Sequence, residues 1–68
     1  MLTSFGEMIR VYSTAIRAVG YDGTTLRVQF VGGGIYNHRR VPYAIYEGLM
    51  RASSKGAYYN DHIRGRYG

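Results

Sequence analysis

One segment limits the fold more than any other. Leu26, Val28 and Phe30 alternate with Arg27 and Gln29 and run into the triple glycine Gly32-Gly33-Gly34. Alternation of period two marks a strand with one buried face, and consecutive glycines supply the positive backbone angles of a tight reversal. Thr25 to Val31 is therefore a strand entering a hairpin, and Ile35 to Arg40 is its return. A phosphate loop would instead run from strand into helix and carry a Lys-Ser or Lys-Thr pair, so these glycines read as a turn.

The flanking segments extend this hairpin. Ile16, Ala18 and Gly20 alternate with Arg17, Val19 and Tyr21, giving a first strand over residues 15–21 that Asp22-Gly23 closes as a turn. Val41-Pro42 opens a helix, because proline fits the first helical turn without leaving a donor unpaired. Ile45, Leu49 and Ala52 give that helix an apolar face, with Tyr46 and Met50 beside it. Ser53-Ser54-Lys55-Gly56 interrupts the pattern, and a shorter second helix follows over residues 57–64, with Tyr59 and Ile63 four residues apart. The expected architecture is a small α+β domain, a three-stranded antiparallel meander followed by two helices. Residues 1–12 show no sustained period and are expected to form an N-terminal arm or short strand, leaving 13–68 as the domain.

A chain of 68 residues builds only a thin core, and it contains no cysteine to staple it. Self-association is the remaining support, so a homo-oligomer is expected, with the eight tyrosines suited to a subunit interface. The lack of cysteine and of a charged-then-apolar leader points to the cytoplasm. No apolar run approaches the roughly 20 residues a membrane helix needs.

Charge narrows the partner. The net charge is +5, and residues 39–68 carry +4 of it. A basic field of this kind concentrates anions such as RNA or nucleotides. Within Ser53 to Tyr67, Lys55 follows two serines and precedes Gly56 and a helix start, so Ser54, Lys55 and Gly56 are expected to hold a phosphate through hydroxyl, ammonium and backbone donors. In the alternative, Ser53 or Ser54 only caps the helix and Lys55 is solvated. Arg64 and Arg66, with Arg39 and Arg40, are candidates for the wall of the same pocket. Tyr36, His38, Tyr58 and Tyr59 are candidates to stack on bases. Tyr58 and Tyr59 are neighbours on a helix and face different ways, one toward the core and the other toward a groove. Asn60 is read as capping a local turn in preference to reading a base edge. His38 and His62 lack companions at metal-ligand spacing, and no activated nucleophile is evident, so neither a metal, a cofactor nor catalysis is expected.

Taken in order, Ala15 to Asp22, the strand through Leu26, Val28 and Phe30, Gly34-x-Tyr36, Val41-Pro42, Tyr46-x-x-Leu49 and Ser54-Lys55-Gly56-x-Tyr58-Tyr59-Asn60-x-x-Ile63-Arg64 resemble the KTSC domain. The resemblance covers about residues 13–67. This family takes its name from a segment at the C-terminus of some lysyl-tRNA synthetases and also occurs as small stand-alone bacterial and phage proteins. It implies a compact α+β domain with no known catalysis and, through the synthetases, a suggested link to RNA. The chain has Tyr36-Asn37-His38 where the family tends to show Tyr-x-Tyr, and Tyr59 where phenylalanine is usual. The function expected is a non-enzymatic binding module for a phosphate-bearing ligand, tRNA-like RNA or a nucleotide. The alternative is a homo-oligomeric phage-type sponge that sequesters a cyclic nucleotide or ADP-ribose-like immune signal, and a third reading is a protein-binding adaptor.

Overall fold

The computed structural model describes residues 8–67. Six elements follow in chain order: β1 (Ile9–Arg10), β2 (Ile16–Tyr21), β3 (Leu26–Phe30), β4 (Ile35–His38), α1 (Tyr43–Arg51) and α2 (Lys55–His62). The strands form one antiparallel sheet in the order β1-β2-β3-β4. The sheet thus has four strands, where the sequence led us to expect three. The extra strand comes from the expected N-terminal arm, whose Ile9 and Arg10 pair with Val19 and Ala18. Two residues carry no periodicity of their own; the open edge of β2 supplies their partner. Residues 1–7 of that arm lie outside the described residues.

A bulge corrects the simple alternation of β2. Ile16 lies opposite Phe30 and Ala18 opposite Gln29, so Arg17 is an extra residue in the ladder. Beyond it Val19 pairs with Val28 and Tyr21 with Leu26. Directly paired residues share a face, so Ile16, Val19 and Tyr21 join Leu26 and Val28 on the core side, all fully buried. Without the extra residue, Ile16 would point away from Val19 and Tyr21.

Polar bonds fix the connections. The Asp22 carboxylate accepts hydrogen bonds from the Thr24 and Thr25 amides at 2.9 and 2.7 Å, which shapes the β2–β3 turn. These bonds hold the Asp22 pKa below its ordinary value. The Tyr21 hydroxyl is directed at the Val41 carbonyl, 2.6 Å away, and its ring stacks on Tyr46 at 4.6 Å. The β3–β4 turn uses positive φ at Gly33 and Gly34, 99° and 95°, as the triple glycine implied.

Pro42 stands at the N-cap of α1, one position before the first helical residue, and its carbonyl accepts from the Ile45 and Tyr46 amides. Tyr46 and Leu49 are the buried residues of that helix. Gly48 sets how closely α2 approaches, because a Cβ there would lie 2.6 Å from Cζ of Tyr58. Tyr59 and Ile63 bring α2 onto the sheet side of the core. No helix among the described residues is long and apolar enough to cross a membrane.

Candidate functional site

A cleft of about 410 Å³ opens between the β3–β4 hairpin and α2. Its α2 wall follows from spacing. Gly56 and Asn60 lie four residues apart on α2, Arg64 follows just beyond its C-terminal end, and all three line the cleft with Tyr59 beside them. Gly56 lets the first turn of α2 sit against the segment before β2, since a Cβ there would be 3.0 Å from Cβ of Ala15. At the other end the Ile63 and Arg64 amides both donate to the Tyr59 carbonyl, at 3.0 and 2.9 Å, and the chain then turns at Gly65 with φ of 75°. Arg64 is thereby held at the rim.

The opposite wall is aromatic. Phe30 ends β3, and its ring meets Tyr36 and Tyr59 edge-on at 5.5 and 5.0 Å. Tyr36 pairs with Val28, so it lies on the core side of the sheet, but β4 is an edge strand and the residue remains 56% exposed. One open ring face therefore stands opposite a guanidinium and a carboxamide. Neither the Arg64 guanidinium nor the Asn60 carboxamide has a hydrogen-bond partner among the described residues.

Tyr59 forms the floor and is held rigidly. Its hydroxyl lies 2.8 Å from Nε2 of His38, and Nδ1 of His38 lies 3.0 Å from the Tyr67 carbonyl oxygen. A carbonyl only accepts, so in the neutral imidazole Nδ1 carries the proton and Nε2 accepts from Tyr59. Burial raises the Tyr59 pKa, the nearby Arg64 charge pulls it the other way, and Tyr36 raises it further. The phenol stays protonated at neutral pH.

Of the residues singled out from sequence, Gly56, Arg64, Tyr36 and Tyr59 meet in this cleft. The others are placed elsewhere. Lys55 donates from Nζ to the Met50 and Ala52 carbonyls at 3.0 and 2.9 Å, which closes the C-terminal end of α1. It lines a separate hollow of about 510 Å³ together with Ser54, Tyr12, Ser13 and Thr14, and only Gly56 borders both spaces. The expected meeting of Lys55 and Arg64 around one anion is therefore corrected, because unsatisfied helix carbonyls attract the ammonium first. Ser54 takes the capping role weighed in the sequence, accepting from the Ala57 amide at 3.4 Å. Arg66 donates from Nε to the Asp61 carbonyl at 3.0 Å. Arg39 and Arg40 are exposed in the β4–α1 link and line neither space. His38 is buried and bonded at both ring nitrogens, so it does not present a stacking face, and Tyr58 covers Gly48 and lies 4.4 Å from the His62 ring.

Three cleft residues were not weighed from the sequence, Ala15, Phe30 and Gly33, and Asn60 was weighed but read as a turn cap. Phe30 looked like an ordinary core position of its strand. For Asn60 a signal existed in its four-residue spacing from both Gly56 and Arg64. Among the described residues, no group of three or more histidine, aspartate or glutamate side chains is placed to hold a metal ion.

Fold and cleft together define a small α+β module whose groove joins aromatic rings to a cation. The family model of the KTSC domain matches residues 12–67, and the chain belongs to that family. It is similar to a crystal structure of a KTSC domain protein from Yersinia pestis, with a TM-score of 0.85 and 32% identity over 90% of this chain and 89% of that one. A protein of Tsukamurella paurometabola is 36% identical over 84% of this chain and 88% of its own length. A lysine–tRNA ligase of Nostoc sp. is 34% identical over 88% of this chain, which spans only 11% of that enzyme.

Proposed function

We propose that this chain is a non-enzymatic RNA-binding module that receives one unpaired nucleotide in the cleft between the β3–β4 hairpin and α2. The observation that carries this reading is the exposed Tyr36 across the cleft from Arg64, whose guanidinium makes no hydrogen bond among the described residues, with Phe30 beside Tyr36 and Tyr59 as the floor. A base stacks on Tyr36, and the guanidinium takes phosphate oxygens in a forked pair of hydrogen bonds. Single-stranded RNA is read in this way, through splayed bases on aromatic side chains. The net charge of +5 supports it by drawing polyanions to the surface. Similarity to part of a ligase that acts on tRNA supports it further. In this reading the module works in the cytoplasm as a homo-oligomer, because its core is thin and has no covalent staple.

The cleft volume favours a second reading. About 410 Å³ lies within the range of small-molecule sites, so a free nucleotide signal would fit one cleft without flanking chain. Ligand length separates the two. In isothermal titration calorimetry an RNA module gains affinity from mononucleotide to hexanucleotide to tRNA, and loses it steeply with salt. A mononucleotide-sized ligand that binds as tightly as any RNA, with a shallow salt response, would replace the first reading by the second. Sedimentation equilibrium reads the assembly state directly.

A further inference from the structure

β4 is a sheet edge without the usual protections against further pairing. Its outer side has no strand partner among the described residues, and Ile35, Tyr36 and Asn37 are all exposed. Edge strands are commonly blunted by charge, proline or a bulge. Residues 28–38 contain no lysine, arginine, aspartate, glutamate or proline, and the β3–β4 register runs without a shift. The opposite edge, β1, is two residues long and carries Arg10. In a chain of net charge +5, the uncharged edge is where a second copy meets least repulsion. We infer that β4 pairs with β4 of a second copy, antiparallel about a two-fold axis at Tyr36, and that the two clefts thereby open side by side.

The backbone phase selects the register. The Phe30 amide donates to the Gly34 carbonyl at 3.1 Å, and antiparallel ladders alternate between bonded and unbonded pairs. Val28–Tyr36 and Leu26–His38 are therefore bonded pairs, and the amides and carbonyls of Ile35 and Asn37 point to the free edge. A two-fold axis at Tyr36 sets Ile35 of each copy opposite Asn37 of the other, which makes two new bonded pairs; a shift of two residues either way would leave one within the strand. Beyond the strand, Arg39 falls opposite Gly33 of the second copy and meets no cation there. Tyr36 faces Tyr36 in the unbonded position, with Cα atoms about 4.5 Å apart. Directly paired residues share a face, so both rings lie on the core side of the joined sheet. Each ring leans along its own strand toward Gly34, where a Cβ would lie 3.3 Å from Cε1 of Tyr36. The strands run in opposite directions, so the two rings diverge and offer consecutive bases two stacking faces.

The role of the joined clefts rests on the nucleotide-binding reading, but the pairing is tested without ligand, so the two can fail separately. Sedimentation equilibrium of the full chain, carried to millimolar concentration, is expected to give a dimer. Asn37→Pro removes an outward donor from each copy without touching the β3–β4 ladder, and is expected to weaken dimerisation about tenfold or more. Ile35→Lys, at an exposed position, sets a cation against Asn37 of the second copy and the Arg27 bonded to it, and tests the same edge if the proline variant does not fold. The chain has no cysteine, so single replacements report the register. Tyr36→Cys is expected to form an intermolecular disulfide readily in glutathione buffer, and Ile35→Cys, which lies diagonal to its own counterpart, much more slowly. A monomer throughout, a dimer untouched by both edge variants, or equal cross-linking of the Tyr36→Cys and Ile35→Cys variants would overturn the pairing and leave nucleotide binding by the single cleft standing. A dimer that cross-links as expected while neither mononucleotides nor tRNA shift any amide resonance would uphold the pairing and remove the nucleotide reading.

Discussion

Replacing Lys55 by methionine distinguishes a structural lysine from a ligand-binding one. The variant keeps most of the aliphatic stem and removes the ammonium that donates to Met50 and Ala52 at 3.0 and 2.9 Å. A hydrogen bond to a charged group contributes roughly 1.5–3 kcal/mol. Here both are partly buried, and water reaches the freed carbonyls, so the pair together is worth about 1.5–2.5 kcal/mol with the helix-dipole contribution included. For a domain of this size that corresponds to a fall in Tm on the order of 6–20 °C. Urea unfolding followed by circular dichroism measures the loss, and an unchanged slope would place it in the native state. RNA binding, measured well below the transition, is expected to stay within about twofold of the parent, the size of a minor electrostatic change. A Lys55→Met protein that unfolds like the parent yet no longer binds would refute the capping assignment.

Three further expectations follow from the packing and the titrating groups. Gly48→Ala forces the Tyr58 ring off α1 and costs about 1–3 kcal/mol, and pairing it with Tyr58→Ala in a double-mutant cycle removes most of that penalty if the clash is the cause. Tyr21, Tyr46 and Tyr59 all have pKa values raised chiefly by burial. Their folded-state pKa values lie above the unfolded value near 10, so their contribution is complete below that pH and is lost as pH rises through the folded values; alkaline unfolding should begin above about pH 10. Asp22 behaves in the opposite sense. Its folded pKa is depressed by the Thr25 and Thr24 amides, so its contribution is present above about pH 4 and lost as pH falls through the lower folded value, and Asp22→Ala should flatten that acid limb of a stability–pH curve.

Much of the fold was legible because it is written in local patterns. The β3 alternation, the triple glycine with its positive φ and the Val41-Pro42 helix start all appear where their residues demand them. The bulge at Arg17 was not legible, since it arises from how β2 meets β3 and has no signature in β2 alone. The two-residue β1 was missed as a member of the sheet for a similar reason: its partner, not its composition, makes it a strand. The candidate site was read in part. Arg64, Gly56, Tyr36 and Tyr59 were named from charge, aromaticity and the family-like run, and they meet in one cleft. Lys55 was grouped with Arg64 by charge, by the serines and helix start around it and by the family-like run, but the open carbonyls ending α1 lie only three to five residues before it and engage its ammonium. Sequence proximity of cations says little about convergence when backbone acceptors compete for them. Asn60 was assigned to a local turn because such side chains often satisfy the nearby backbone; on α2 its backbone is already helical and its carboxamide faces the cleft instead.

The central claim is that Arg64 neutralises a phosphate of RNA bound across the Tyr36 face. Its most direct test is fluorescence anisotropy of a labelled single-stranded RNA against salt concentration, for the parent and Arg64→Ala. Loss of one phosphate contact is expected to weaken binding and to reduce the magnitude of the log–log salt slope by about 0.7. Parallel lines with equal affinities for the two proteins would contradict it.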